Sequence, residues 1–197
     1  MTRIRNITSQ LRQAGLTMIE LLLTLAVLAI LLAVAIPSFE ALIASTRVTN
    51  ATNELLSALA QTRSEAIRRG QRVSMCMSAN NIQCSNAGTW SQGWIIFRDA
   101  ARTGVVATPQ DILHVGSTSA NNILIQGAAA LPRYISFSAD GQSRTLAGVI
   151  QTGNIEVCST STALSDNNRA RRLLINGSGL VVMTQPANIT IACPPPP

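Results

Sequence analysis

Residues 16–36 read LTMIELLLTLAVLAILLAVAI, and this stretch decides the architecture of the chain. Its only polar side chains are Thr17, Glu20 and Thr24. A helix of this length, at about 1.5 Å per residue, extends roughly 31 Å, which matches the hydrocarbon core of a bilayer at about 30 Å. The sequence therefore predicts one transmembrane helix over residues 16–36.

Arginine placement predicts the orientation of this helix. Arg3, Arg5 and Arg12 precede the apolar stretch, and the next arginine is Arg47. Since positive charge stays on the cytoplasmic side, we expect a single-pass inner-membrane protein with a cytoplasmic N-terminus and a periplasmic remainder. The alternative is a secretory signal peptide cleaved near residues 33–35, but its apolar region of 21 residues exceeds the usual 7–15 or so.

The composition argues against an enzyme and against a disordered chain. Hydrophobic residues make up 47% of the 197 residues and charged residues only 12%. All 15 basic residues are arginines, there is one histidine, and the formal net charge is +6. The chain therefore has few general bases, no Schiff-base amine and no P-loop lysine. We predict no catalytic site and no cofactor.

Glu20 is the one charged residue of the apolar stretch. A carboxylate inside a spanning helix costs about 2.5–3.5 kcal/mol on insertion scales, so it indicates a function. The alternative is that Glu20 lies near enough to the interface to reach lipid headgroups.

The six residues Gly15-Leu16-Thr17-Met18-Ile19-Glu20 resemble the processing site of type IV prepilins and type II secretion pseudopilins. The resemblance implies that a prepilin peptidase removes a leader of residues 1–15 by cleaving after Gly15, and that Leu16 is then N-methylated. The family usually has phenylalanine where this chain has Leu16. Glu20 would become the fifth residue of the mature chain, where its carboxylate can neutralise the terminal amine of a neighbouring subunit in a filament.

Residues 37–70 predict an amphipathic continuation of the same helix. Apolar and small residues recur every three or four positions, at Val48, Thr52, Leu55, Leu59, Thr62 and Ala66. This spacing gives a helix one face that packs on a protein core. Arg68 and Arg69 supply positive charge to the last turn and Gly70 a stop, so the helix should end there.

Residues 71–197 predict a β-rich globular head. Strand-like runs recur along it, at residues 72–77, 90–97, 111–115, 122–126, 134–138, 147–158 and 171–184. Turn sequences separate them, notably Asn176-Gly177-Ser178-Gly179. The expected fold class is α+β: a type IV pilin-like long helix packed on an antiparallel β-rich head.

Within the head, residues 90–99 (WSQGWIIFRD) resemble a stretch of the GspH/FimT family. That resemblance implies a minor pilin or pseudopilin subunit, acting in filament initiation or tip assembly of a type IV pilus or a type II secretion pseudopilus. The implied partners are the major subunit, other minor subunits, the prepilin peptidase and the membrane.

The four cysteines all follow the apolar stretch, in the compartment expected to be oxidising. An even number there favours disulfides, with three possible connectivities. We favour Cys76–Cys84, which closes a short loop, and Cys158–Cys193, which pins the tail to a strand. A zinc site is the alternative, but the chain has no C-x-x-C and His114 is its single histidine, so we predict no metal.

Residues 168–172 (NRARR) form the one dense charge cluster of the head. FimT-type proteins of transformable bacteria bind DNA through a G-R-x-R motif, which resembles N-R-A-R here. The resemblance implies an alternative function in DNA uptake, with Arg169, Arg171 and Arg172 on phosphates. The other interpretation is a solvated loop whose arginines pair with acidic residues of neighbouring subunits.

Overall fold

A computed structural model of the chain describes residues 17–118, 121–128, 131, 133–186 and 193. Within them lie one long α-helix and eight β-strands. The helix, α1, is Met18–Arg69, and the strands are β1 (Val73–Met77), β2 (Trp94–Arg98), β3 (Ile112–Gly116), β4 (Ile123–Gly127), β5 (Tyr134–Phe137), β6 (Gly153–Ser159), β7 (Ala170–Ile175) and β8 (Val181–Thr184). The predicted α+β class with a long N-terminal helix is confirmed.

Burial along the second half of α1 follows one face of the helix. The helix continues through Pro37 and ends at Arg69. All six positions of the predicted stripe are buried, together with Ala44, Ala51 and Ala58. Two of the six are threonines, whose hydroxyls donate to the helix backbone: Thr52 to Val48 at 2.6 Å and Thr62 to Ala58 at 2.7 Å. Each buried hydroxyl therefore has an acceptor on its own helix.

The strands form two antiparallel four-stranded sheets. The first has the order β3-β2-β1-β5 and the second β4-β6-β7-β8. In the first sheet Met75 lies opposite both Ile96 and Ile135, so a row of large apolar side chains crosses the sheet. In the second sheet Ile155 lies opposite Leu173, which makes the equivalent row.

One hydrophobic core joins α1 to both sheets. Leu55 and Leu59 of the helix belong to the same buried cluster as Met75 of the first sheet and Leu173 of the second. Alternation along each strand sends the next side chains to the opposite face. There the two sheets carry smaller clusters, one around Cys76, Ile95 and Phe97 and the other around Cys158, Ala170 and Cys193.

The chain divides into two compact units, Met1–Phe39 and Glu40–Pro197. Of the described residues, all that are buried lie in the second unit.

Three of the predicted strands are wrong at their boundaries. Residues 90–92 form a 3-10 turn, and β2 begins after Gly93, whose φ of 118° breaks the extended run. The predicted strand from 147 begins only at Gly153, because residues 144–150 close a small turn through an isolated bridge. The run 171–184 is a hairpin of β7 and β8 around residues 176–180.

Candidate functional site

The described residues of the first unit expose an apolar surface. The leucine, isoleucine, valine and methionine side chains from Met18 to Ile36 are largely exposed, and Met18 is 80% exposed. By length and composition α1 can cross a membrane, and none of its most apolar stretch is buried within the chain. This surface is therefore the first candidate for contact with lipid or with other proteins.

Glu20 lies in the first turn of α1, where Thr17 caps the helix. The Glu20 N–H donates to Thr17 Oγ1 at 3.3 Å, and the Leu21 N–H donates to the Thr17 carbonyl at 3.1 Å. Thr17 and Glu20 have the T-x-x-E spacing of a capping box, and a carboxylate in the first turn is favoured by the helix dipole. The Glu20 carboxylate itself is exposed and takes part in no ion pair within the described residues. The predicted cleavage residues Gly15 and Leu16 lie outside the described residues.

Two disulfides join the four cysteines. Cys76 bonds Cys84 across a separation of eight residues, and Cys158 bonds Cys193 across 35. These are the partners favoured from the sequence. The first disulfide closes the loop after β1, and the second fixes position 193 against the outer face of the second sheet.

The three arginines of the predicted DNA-binding cluster do not form one exposed patch. Arg172 pairs with Glu156 across the β6–β7 ladder, with Nε 2.5 Å from the carboxylate. Arg171 is partly exposed, and its Nη1 donates to the Ala170 and Asn168 carbonyls at 2.8 and 3.4 Å. Arg169 is only 1% exposed.

The burial of Arg169 corrects the expectation of three available guanidiniums. Its Nε pairs with Asp166 at 2.6 Å, and its Nη2 donates to the Cys193 carbonyl at 3.4 Å. Arg169 thus holds the loop before β7 and the disulfide-bonded tail together. The sequence shows the charge of this residue but not the tail that covers it, so the spacing alone misplaces it on the surface.

Arg63 is a positioning residue that the sequence analysis missed. From the exposed side of the helical stripe, its Nε donates to the Gly141 carbonyl at 3.0 Å and its Nη2 to the Ser178 carbonyl at 3.2 Å. It therefore ties α1 to the turn after β5 and to the β7–β8 turn. Beside it runs a groove of about 410 Å³ between α1 and β8, lined by apolar residues that include Leu56, Ile67, Leu180 and Val181.

Histidine, cysteine and carboxylate side chains are dispersed through the described residues. No three of them there approach one another as metal ligands would. His114 is exposed on β3, an edge strand of the first sheet.

Comparison with known families gives two matches. The family described as type II transport protein GspH matches residues 51–179. The family described as prokaryotic N-terminal methylation motif matches residues 10–36, which include the predicted processing site and Glu20. A search of curated proteins finds no match.

Three solved structures resemble this fold. Two are crystal forms of the type IV minor pilin FimU of Pseudomonas aeruginosa, at 20% and 19% identity with TM-scores of 0.55 and 0.51. They match 73% and 72% of this chain and 96% and 98% of their own. The third is the minor pseudopilin EpsH from the type 2 secretion system of Vibrio cholerae, at 11% identity and TM-score 0.46, over 72% of this chain and 99% of that one.

Proposed function

The chain belongs to the GspH family of minor pilins and pseudopilins, and from that premise we propose that it initiates or caps a filament. The filament is a type IV pilus or a type II secretion pseudopilus. The observation that carries this proposal is the division of α1, which exposes apolar side chains in its first half and buries a stripe in its second. The first half needs apolar surroundings that the described residues of the chain do not provide.

The proposal includes processing and topology. Before assembly the apolar helix spans the inner membrane, with residues 1–15 in the cytoplasm and the head in the periplasm. The match to the methylation motif over residues 10–36 supports cleavage after Gly15 and methylation of Leu16. The two disulfides are consistent with an oxidising periplasm.

Mass spectrometry of the mature N-terminus tests the processing. We expect a terminal methylated Leu16, and a terminus between residues 33 and 38 would refute the proposal in favour of a cleaved signal peptide. The chain contains no lysine. The α-amino group is therefore its single aliphatic amine, primary before methylation and secondary after it, and an acylating label placed before digestion marks the terminal peptide alone.

Glu20 is the proposed assembly residue. Its carboxylate is exposed, it is the fifth residue of the chain processed after Gly15, and in a packed filament it pairs with the α-amino group of a neighbouring subunit. A buried charge that loses its partner is strongly destabilising, so Glu20→Gln should reduce the filament fraction of the chain by about tenfold or more.

The assay separates sheared filaments from membranes and quantifies the processed chain in each fraction. Glu40→Gln is the matched control, since Glu40 is an exposed carboxylate on the same helix. Equal filament fractions for Glu20→Gln and the wild type would contradict the role of Glu20. Absence of the wild-type chain from filaments would contradict the proposed function itself.

The DNA-uptake alternative stays a prediction, and it depends on Arg171 more than on its neighbours. Arg169 is buried and Arg172 is paired with Glu156. Salt-sensitive DNA binding by the full chain in detergent micelles, lost in Arg171→Gln, would support this alternative.

A further inference from the structure

A second concentration of arginines surrounds the C-terminal end of α1, and the sequence analysis did not single it out. Most of its members have carboxylate partners: Arg68 and Arg69 pair with Glu65, Arg98 with Asp111, and Arg144 with Asp140. Two members, Arg72 and Arg102, have no ion pair with a described carboxylate. Both line a cleft of about 410 Å³ whose walls include Gly70, Ala100, Ala139 and Asp140.

Arg72 uses only one side of its guanidinium. The residue is 6% exposed, and its Nη1 donates to Ser136 Oγ at 2.6 Å and to the Arg144 and Thr145 carbonyls at 3.0 and 2.8 Å. Its Nε is buried without a partner, and its Nη2 donates to no acceptor in the described part of the chain. Since Nε is enclosed and Nη1 is occupied, Nη2 is the donor of this guanidinium that a ligand can reach.

Asp99 is the nearby carboxylate, but it is already occupied. Its Oδ1 accepts from the Thr103 N–H at 2.8 Å, and its Oδ2 accepts from Ser74 Oγ at 2.8 Å and from the Gly104 N–H at 3.1 Å. Asp99 therefore organises the loop after β2, and its charge acts on Arg72 without an ion pair between the two. Arg72 Nη2 is left without an acceptor among the described residues, which indicates a ligand or water beside it.

Arg102 brings a second positive charge to the same cleft. The residue is exposed and has a φ of 59°, which is uncommon for a residue other than glycine. Its N–H donates to the Asp99 carbonyl at 3.0 Å, which holds this turn in place. Burial lowers the pKa of the Arg72 guanidinium, and the charge of Arg102 lowers this pKa further. The charge of Asp99 raises this pKa, so the two like charges at the cleft are offset only in part.

We propose that this cleft binds a single carboxylate group, held by Nη2 of Arg72 and by the guanidinium of Arg102. The ligand is an aspartate or glutamate side chain of a neighbouring subunit, and this source of the carboxylate rests on the proposed function. Three positive charges, those of Arg72, Arg102 and Arg144, lie around the cleft, and the carboxylates of Asp99 and Asp140 offset two of them. The remaining single charge matches a carboxylate better than a phosphate dianion. The small side chains of Gly70, Ala100 and Ala139 leave the opening wide enough for a protruding side chain.

The site is tested on the full chain in detergent micelles with acetate as the probe. Arginine Nε–H signals are followed by NMR, and we expect the Arg72 signal to shift saturably with a dissociation constant on the order of 10 mM. Arg102→Gln should weaken acetate binding by about tenfold, the scale of one charge-assisted hydrogen bond. Arg133→Gln is the control, because Arg133 is exposed and outside the cleft.

Arg72→Lys keeps the charge but has one nitrogen in place of two, so it cannot hold Ser136 and a carboxylate in the cleft through separate atoms, and we expect it to bind acetate more weakly than the wild type. Should this buried substitution impair folding, the exposed Arg102→Gln still decides the question. No Arg72 shift with acetate, or no weakening by Arg102→Gln, would overturn the site. Tighter binding of inorganic phosphate than of acetate would overturn the assignment of a carboxylate.

The source of the carboxylate is tested in cells by the filament fraction. Arg102→Gln should lower that fraction, whereas Arg133→Gln should not. Acetate binding together with a normal filament fraction for Arg102→Gln would overturn a neighbouring subunit as the source. Failure of the proposed function is a separate result, since it removes the wild-type chain from filaments and leaves acetate binding unchanged.

Discussion

Replacing Gly179 by alanine should destabilise the head far more than the same replacement at Gly148. Both glycines have left-handed backbones, with φ of 78° and 86°. A Cβ at Gly148 meets no atom within 4 Å, whereas a Cβ at Gly179 overlaps the Gly141 carbonyl oxygen and lies 3.0 Å from Arg63 Nε. The Gly141 oxygen is the acceptor of the Arg63 Nε–H. The new methyl group must therefore displace one end of the link between α1 and the turn after β5.

The magnitude follows from three contributions. A non-glycine residue in the left-handed region costs about 1–2 kcal/mol, and this applies to both variants. Overpacking adds about 1–3 kcal/mol at Gly179 alone, and weakening a hydrogen bond from a charged donor adds about 1 kcal/mol or more. We therefore expect Gly179→Ala to lose about 4 kcal/mol and Gly148→Ala about 1 kcal/mol. For a unit of this size the Tm should fall by roughly 10 °C and 3 °C respectively.

Thermal unfolding of the full chain in detergent micelles measures this difference. The near-ultraviolet signal of Trp90 and Trp94 reports on the head core, since both are buried there. An equal loss of Tm in the two variants would show that backbone conformation alone matters and would refute the close approach of Gly179 to Gly141. A double variant of Gly179→Ala with Arg63→Met should lose less than the sum of the two single changes, because both weaken the same link.

Three further predictions concern the disulfides, the buried arginine and the pH dependence. Replacing Cys158 and Cys193 by serine should lower the free energy of unfolding by about 4 kcal/mol, and replacing Cys76 and Cys84 should lower it by about 2.5 kcal/mol. The first loss is larger because its disulfide closes a loop of 35 residues and the other a loop of 8. Denaturant titration of the two double variants measures the difference. Arg169→Met should lower the Tm more than Arg171→Met, because Arg169 is the buried one of the two and donates to the Cys193 carbonyl. Equal losses of Tm in the two variants would contradict the burial of Arg169. Hydrogen bonds from Arg68, and to a lesser extent from Arg69, lower the pKa of Glu65. The ionised Glu65 side chain therefore stabilises the folded state above its unfolded pKa near 4.5, and this stabilisation is lost as the pH falls through the folded pKa. Because Arg68 is well exposed this contribution is a few tenths of a kcal/mol, and Glu65→Gln should flatten the Tm-against-pH curve slightly below about pH 4.5.

The sequence predicts the helix well because its burial pattern is local. The stripe from Val48 to Ala66 follows the 3.6-residue period, and every predicted position is buried. Strand boundaries are less predictable, since Trp90 is apolar like a strand residue but lies in a 3-10 turn set by the backbone of Gly93. The turn sequence at residues 176–179 predicts the turn of the β7–β8 hairpin, but the run 171–184 does not show where each strand ends, because residues on both sides of the turn face the same core.

The site residues also differ in whether their surroundings are set by neighbours in the sequence or by distant residues. Glu20 is recognisable from its neighbours in the chain, since an acidic residue in an apolar helix is rare and informative. The environments of Arg169 and Arg72 depend on partners far away in the sequence, Cys193 for the first and Ser136 with Arg144 for the second. Spacing within a motif therefore identifies the charge of an arginine but not whether solvent reaches it.

The exposed apolar half of α1 has an energetic consequence for a subunit that moves between membrane and filament. Lipid tails are about as apolar as leucine side chains, so the hydrophobic free energy of this helix nearly cancels between the two surroundings. Thr24 donates to the Leu21 carbonyl at 2.8 Å and needs no outside acceptor in either of them. Among residues 17–39, Glu20 is then the one charged group whose surroundings change. Under the proposed function, exchange of this helix between membrane and filament is close to neutral in hydrophobic free energy, and the pairing of one carboxylate decides its direction.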